Sequence, residues 1–260
     1  MNYLKLYLEM LKAHLKTLLE YKTDFVVDIA TQIARSILGV VFIWVLFQNI
    51  ASINGWTFGE MLFLSGFSQL VFGLFNTFFI LWNLEFLVTR GEFDKILIKP
   101  ANALFQLVTN ELDIEHAGDI ILALIIISIS SQMISLSWNM TTIAMLIFFS
   151  ISGVVILFSL ALITSSLSFW FGRSNTLTEV IYHLTGFTKY PLEIYNTFIT
   201  FAVSFVVPFA FVNYYPAQLF VGKGITPSFA YLTPVVAIIT FAIAYNVWKL
   251  GLKNYQSTGS

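Results

Sequence analysis

The sequence has no cysteine, only three histidines and six prolines, and little charge: Asp, Glu, Lys and Arg make up 10% of its 260 residues. Without thiols, neither a disulfide framework nor a thiolate metal site is possible. His14, His116 and His183 lie far apart in the chain, which argues against a histidine metal centre. No G-x-x-x-x-G-K-S/T phosphate loop, G-x-S-x-G elbow or H-E-x-x-H helix occurs, so no catalytic or nucleotide-binding motif marks an enzyme. A formal net charge of -1 gives no electrostatic footprint for nucleic acid.

What is present is apolar. Hydrophobic residues reach 58% and the mean hydropathy is +0.83, whereas a soluble domain carries ~25% charged residues. The chain reads as an all-α polytopic membrane protein, one transmembrane domain over 1–260. A spanning helix needs ~20 mostly apolar residues. Candidate spans fall at about 25–50, 58–87, 117–135, 141–171, 195–213 and 229–249. The second and fourth exceed what a bilayer needs, which predicts tilt or projection into water. The segment 174–195 reads either as an interfacial helix or as the start of the fifth span.

Basic residues set the orientation. Lys5, Lys12, Lys16 and Lys22 precede the first span, and Arg90, Lys95 and Lys99 follow the second. Arg173 and Lys189 follow the fourth, and Lys249 and Lys253 close the last, while the opposite loops hold only Lys223. Both termini are therefore expected in the cytoplasm, in a multi-pass protein of the cell membrane. Lys5, Glu9, Lys12 and Lys16 interrupt the apolar run that a cleavable signal needs.

Residues 1–22 hold an amphipathic helix, with Leu4, Tyr7, Leu8, Leu11, Leu15, Leu18 and Leu19 on one face. Such a helix lies in the membrane interface against lipid headgroups. The segment 89–116 is the long polar insertion. Pro100 suits a helix first turn, and Ala101–Asn110 continues it. It reads either as a solvated loop or as a handle for a soluble partner. Residues 174–189 form a third amphipathic piece, with Thr176 and Glu179 spaced as a capping box. Residues 213–228 carry Pro216, Gly222, Gly224 and Pro227 and read as a re-entrant hairpin on the outer side.

Polar stripes mark the spans. In the first, Asp28, Thr31, Gln32, Arg35 and Gly39 share a face. Asp28 and Arg35 read as a structural ion pair or as a gate. In the second, Ser65, Ser68, Gln69, Phe72, Asn76, Phe79 and Asn83 stay on one side at ~100° per residue. The fifth echoes it with Thr197, Thr200, Ser204 and Pro208, flanked by Phe201 and Phe205. Amides avoid lipid, so these faces either pack on helices or line a path. A path of neutral polar and aromatic groups suits an amphipathic or apolar substrate better than an ion. Serines and threonines scattered round the fourth span suggest close packing on several sides.

The whole pattern resembles the permease of a type-2 ABC exporter. Gly91-Glu92-Phe93-Asp94-Lys95-Ile96-Leu97-Ile98-Lys99-Pro100 resembles the G-x-L/F-D-x-x-L-x-K/R-P stretch of a bacterial branch of that family. Val207-Pro208 through Asn213-Tyr214-Tyr215-Pro216-Ala217 resembles its second signature. The resemblance implies a coupling helix near 93–110 that docks on a separate ATPase subunit, which holds the ATP and magnesium. Glu92, Phe93, Asp94, Lys95, Pro100 and Phe105 would make that contact. It also implies a second permease chain, identical or related. The path would be lined by the second and fifth spans, through Ser65, Gln69, Phe72, Asn76, Thr200, Ser204, Phe205 and Pro208. The rivals are a carrier driven by an ion gradient, for which only Asp28 and Arg35 offer buried charge, and a membrane enzyme or scaffold, for which Glu179 with His183 is the one hint.

Overall fold

A computed structural model describes residues 12, 22–78, 81, 83–110, 116–223 and 228–256. The amphipathic helix expected over 1–22 lies outside the described residues apart from Lys12 and Lys22, as do Phe79 and the side chain of Asp28. The described fold is helical throughout. Its one extended pairing is a bridge between Ile53 and Trp56.

Helix α1 (Lys22–Leu46) opens the bundle, followed by α2 (Phe58–Phe78). Three short helices follow: α3 (Leu84–Thr89), α4 (Asp94–Leu97) and α5 (Ala103–Asn110). Then come α6 (Ala117–Met133), α7 (Met140–Ser166), α8 (Ser168–Phe171) and α9 (Asn175–Leu184). Helices α10 (Thr197–Phe201), α11 (Tyr214–Phe220) and α12 (Ser228–Asn254) complete the chain. Four helical stretches are long and apolar enough to cross a bilayer: Ile29–Leu46, Phe58–Phe78, Met140–Phe171 and Phe229–Asn254. Helix α6 is also apolar but shorter, at 17 residues.

Helix α2 is the hub, buried along most of its length. Gly59, Gly66 and Gly73 recur every seven residues, two turns apart, so they share a face. A Cβ on them would sit 2.9 Å from Met133, 2.8 Å from Ile126 and 3.0 Å from Ile120. The partners descend as the glycines ascend, so α6 runs antiparallel in a groove that only glycine leaves open. Close approach at small residues is how helices associate where lipid removes the hydrophobic drive. Helix α12 repeats the device: Ala230, Ala237, Ala244 and Gly251 are buried at the same spacing, and α12 lies along α7, with Phe158 stacked on Phe241. The scattered hydroxyls of α7 serve this packing. Ser152, Ser159 and Ser166 bond their own helix carbonyls, while Ser165 donates to Leu81 O and Thr164 accepts from Thr178.

The long second span ends early. Helix α2 stops at Phe78 and α3 starts afresh at Leu84, so one tilted helix over 58–87 does not form. The larger difference concerns the fifth span. Thr197–Phe201 passes into a π-helical turn over Ala202–Val206. It breaks at Val207 and Pro208, and Phe209–Phe220 leaves at 75°. Proline has no N–H to extend the ladder and blocks the preceding turn, which is why the break falls there.

Both ends of this hairpin are tied to the same end of the bundle. Asn54, before α2, donates to Glu193 O at 2.9 Å, and Gln218 donates to the Glu193 carboxylate at 3.3 Å. Lys223 pairs with Glu60 at 2.5 Å and also reaches Gly55 O. The hairpin therefore enters and leaves on one side. Asn213, fully buried, pins it deep inside by donating to Ser68 at 2.7 Å. Gly153 of α7 admits it, since a Cβ there would lie 2.5 Å from the Val212 carbonyl.

The stretch that runs the length of α2 is instead 174–193. At one end Glu85, just after α2, accepts from the backbone N–H groups of Ser174 and Asn175. At the other, Glu193 meets Asn54, just before α2. Ten α-helical residues and the five of the 3-10 turn Thr185–Lys189 supply ~25 Å of rise, close to the ~31 Å of α2. The expected Thr176–Glu179 capping box is not used: Ser174 holds the cap position without a side-chain bond, and Glu85 satisfies the helix N-terminus from outside.

Candidate functional site

The stripe on α2 opens onto a cavity of ≈ 460 Å³. Ser65, Gln69, Phe72 and Asn76 line it, as the periodicity of α2 requires. The remaining walls come from α1, α6 and the 182–190 stretch. Ser36 of α1 donates to Gln69 Oε1 at 3.0 Å, and Gln69 Nε2 reaches Asp119 Oδ1 of α6 at 3.4 Å. The other carboxylate oxygen of Asp119 lies 3.2 Å from His116 Nδ1. Asn76 donates to the Tyr182 hydroxyl at 3.0 Å, and Tyr182 stands edge-on to Phe72. Three helices are thus joined by one chain of polar groups across the cavity floor.

Asp119, in the first turn of α6, sits beside Gly73 of α2. Arg35 lines the same cavity, so the structure places it on the open side of α1, whereas its expected partner Asp28 has no described side chain. Lys189 enters from the far end of the 174–193 stretch, its ammonium 5.8 Å from the Phe72 ring centre.

Thr200, Ser204, Phe205 and Pro208 do not join Gln69 and Asn76 in this cavity. They belong to the hairpin. Ser204 is buried and accepts from Tyr215 at 2.9 Å; Thr200 donates to Leu192 O; Phe205 stacks against Phe201 and Phe229. Thr200 lines a separate cavity of ≈ 270 Å³ with Glu193, Tyr195, Tyr214, Tyr215 and Gln218. The hydroxyl spacing of this segment reflects anchoring of a hairpin. It does not mark a second wall of the α2 cavity.

The polar insertion folds into a compact cap. Phe93 is fully buried in an aromatic cluster with Phe169, Trp248 and Tyr255, at centroid distances of 5.4, 6.1 and 5.1 Å. Burial, with Asp94 alongside, pushes the Tyr255 phenol up to about 12, so it stays protonated. Lys95 pairs with Glu92 at 3.3 Å on the surface. The expected helix from Ala101 starts two residues later, at Ala103, because Asn102 accepts from the Phe105 N–H as its cap. Pro100 is therefore in the preceding turn and exposed, and Phe105 lines an apolar groove beside Leu74, Phe158 and Phe241. Gln106 is buried and ties the turn by donating to Ile96 O and Ala101 O. What the cap presents outward is Leu97 and Ile98, the latter 83% exposed. Glu179 and His183 lie one turn apart on α9, and His183 lines the α2 cavity.

Four helices long and apolar enough to cross a bilayer, a sharply bent helix pair and a polar cavity inside the bundle define a polytopic α-helical membrane protein. The family model described as ABC-2 family transporter protein matches residues 33–259, and the chain belongs to that family. It is thus a membrane component of an ABC transporter, a system that works with an ATPase partner. No curated protein matches the chain.

Proposed function

We propose that this chain is the permease of an ATP-driven exporter of amphipathic or apolar molecules. Its 260 residues act as one transmembrane domain of six crossings, with both termini in the cytoplasm of a cell-membrane protein. In this layout the fifth crossing is 174–193, and 197–220 is the outer re-entrant hairpin. Two permease chains form the path, and each takes up one ATPase subunit. ATP and magnesium act on that subunit, and this chain performs no catalytic step of its own. The observation that carries the reading is the α2 stripe: Ser65, Gln69, Phe72 and Asn76 line one cavity, walled by polar and aromatic side chains.

The ATPase-facing surface is the cap α4–α5 in this reading. Leu97 and Ile98 dock in a groove of the ATPase, flanked by Lys95, Lys99 and Pro100. Phe93 acts behind them, transmitting the push through Phe169 and Trp248 to α8 and α12. Co-purification in mild detergent is expected to bring down an ABC ATPase in stoichiometric amount, and vesicle transport to require ATP. Uptake that persists without ATP favours a carrier driven by an ion gradient.

The layout has its own test, helped by a sequence free of cysteine. Single cysteines at the exposed positions Arg173 and Glu193 are expected to react with an impermeant maleimide from opposite sides of the membrane. Labelling of both from the same side overturns the fifth crossing.

A further inference from the structure

The α2 cavity is not neutral. Arg35 and Lys189 line it, and no carboxylate of the described residues lies within ion-pair distance of either. The one acidic group in the wall, Asp119, has both oxygens engaged, one by Gln69 and the other by His116. It acts on Lys189 only at longer range. The cavity therefore holds two cations against one satisfied carboxylate, with the imidazoles of His116 and His183 also in its wall. Arg35 sits near the middle of α1, a depth at which an arginine is costly unless it faces protein or a water-filled path and has work there. Apolar and aromatic side chains, Ile43, Phe72, Ile126 and Tyr190, share the wall with these groups and with the neutral polar ones.

Building on the permease reading above, we propose that the cavity is a binding site for amphiphiles with an anionic head group, carboxylate or phosphate ester, held between Arg35 and Lys189. Arginine offers a planar fork of donors that matches either oxyanion, and lysine adds a compact charge. The second N–H of the Asn76 amide, the first being given to Tyr182, completes the head-group shell, and the tail lies along Phe72, Ile43 and Ile126. A cationic amphiphile meets two like charges in a low-dielectric setting and is rejected. Selection by head-group charge thus comes from repulsion as well as attraction.

The test uses the full permease in phosphatidylcholine nanodiscs and needs neither ATP nor ATPase. It can therefore fail while the permease reading stands, and the reverse. The probe is 11-(dansylamino)undecanoate, read by fluorescence, with dodecanoate, dodecyl phosphate and dodecyltrimethylammonium as competitors. The expected result is saturable binding, displaced by one or both anionic competitors and not by the ammonium. Displacement by the carboxylate alone or by the phosphate alone identifies the preferred head group. In the variant Arg35→Gln with Lys189→Gln, affinity is expected to fall at least about tenfold. Arg35→Lys with Lys189→Arg, which keeps both charges, is expected to restore most of it and controls for folding. Displacement by the ammonium compound, or unchanged affinity in the double glutamine variant, overturns the proposal.

Discussion

Replacing Ile98 with glutamate is expected to cut ATP-driven transport by an order of magnitude or more while leaving the permease folded. Ile98 is 83% exposed at the tip of the cap and supports nothing beneath it. Its loss should cost the fold no more than ~0.5 kcal/mol, as at other exposed sites. As an apolar anchor seated in a partner, it belongs to the small set of side chains that carry interface affinity. Loss of such an anchor costs ~2–4 kcal/mol, and a buried unpaired charge adds to that. The readout is the amount of ATPase retained with the permease after purification, together with transport in vesicles. Full retention with normal transport would show that the ATPase grips elsewhere. Phe93→Ala should behave differently. Phe93 is fully enclosed by Phe169, Trp248 and Tyr255, and truncation of such a ring costs ~3–5 kcal/mol. That variant should lose thermal stability even when no ATPase is present.

Gln69→Leu is expected to damage both transport and assembly, because Gln69 is hydrogen-bonded to α1 and α6 at once. It accepts from Ser36 and donates to Asp119. Leucine has nearly the same volume but leaves the Asp119 carboxylate one donor short inside the bundle. An unsatisfied buried charged group costs several kcal/mol. The expected outcome is a lower unfolding temperature in detergent and transport reduced at least about tenfold. Asn76→Leu separates the two effects. It releases only the Tyr182 hydroxyl, which is neutral, so stability should change little while the cavity wall turns apolar. Normal transport in both variants at normal expression would remove the cavity from the path.

Much of this was legible from one-dimensional pattern, because the bilayer enforces it. Charge-poor runs point to helices at α1, α2, α7 and α12, since a backbone in lipid must satisfy its own hydrogen bonds, although α2 ends at Phe78 and not at 87. Period alone places Ser65, Gln69, Phe72 and Asn76 on one wall, since the angle between helix positions is fixed by geometry. The scattered hydroxyls of α7 correctly announced packing on several sides. The glycine repeat of α2 and the small-residue repeat of α12 were equally available as seven-residue spacings.

Other features depended on contacts that no local pattern carries. The segment 195–213 is as apolar as a span, and hydropathy does not distinguish a chain that crosses from one that enters and returns. Asn54 and Lys223 hold both ends of the hairpin at one end of the bundle, while Asn213 bonds Ser68 deep inside it. The stretch 174–195 read either as an interfacial helix or as the start of the fifth span, and Glu179, His183 and Lys189 interrupt it. Alongside α2 those groups line a cavity or keep open faces, so the interruption is compatible with crossing. Phe93 looked like a docking knob from its motif, and only its neighbours from α8 and α12 show it to be enclosed. The sequence by itself determined the solvent, the helices and the facing of each stripe, because these follow from composition and helical period. Which stripes meet, and which charges share one cavity, was decided by tertiary packing: the glycine groove draws α6 against α2 and carries Asp119 to Gln69, far from it in the chain.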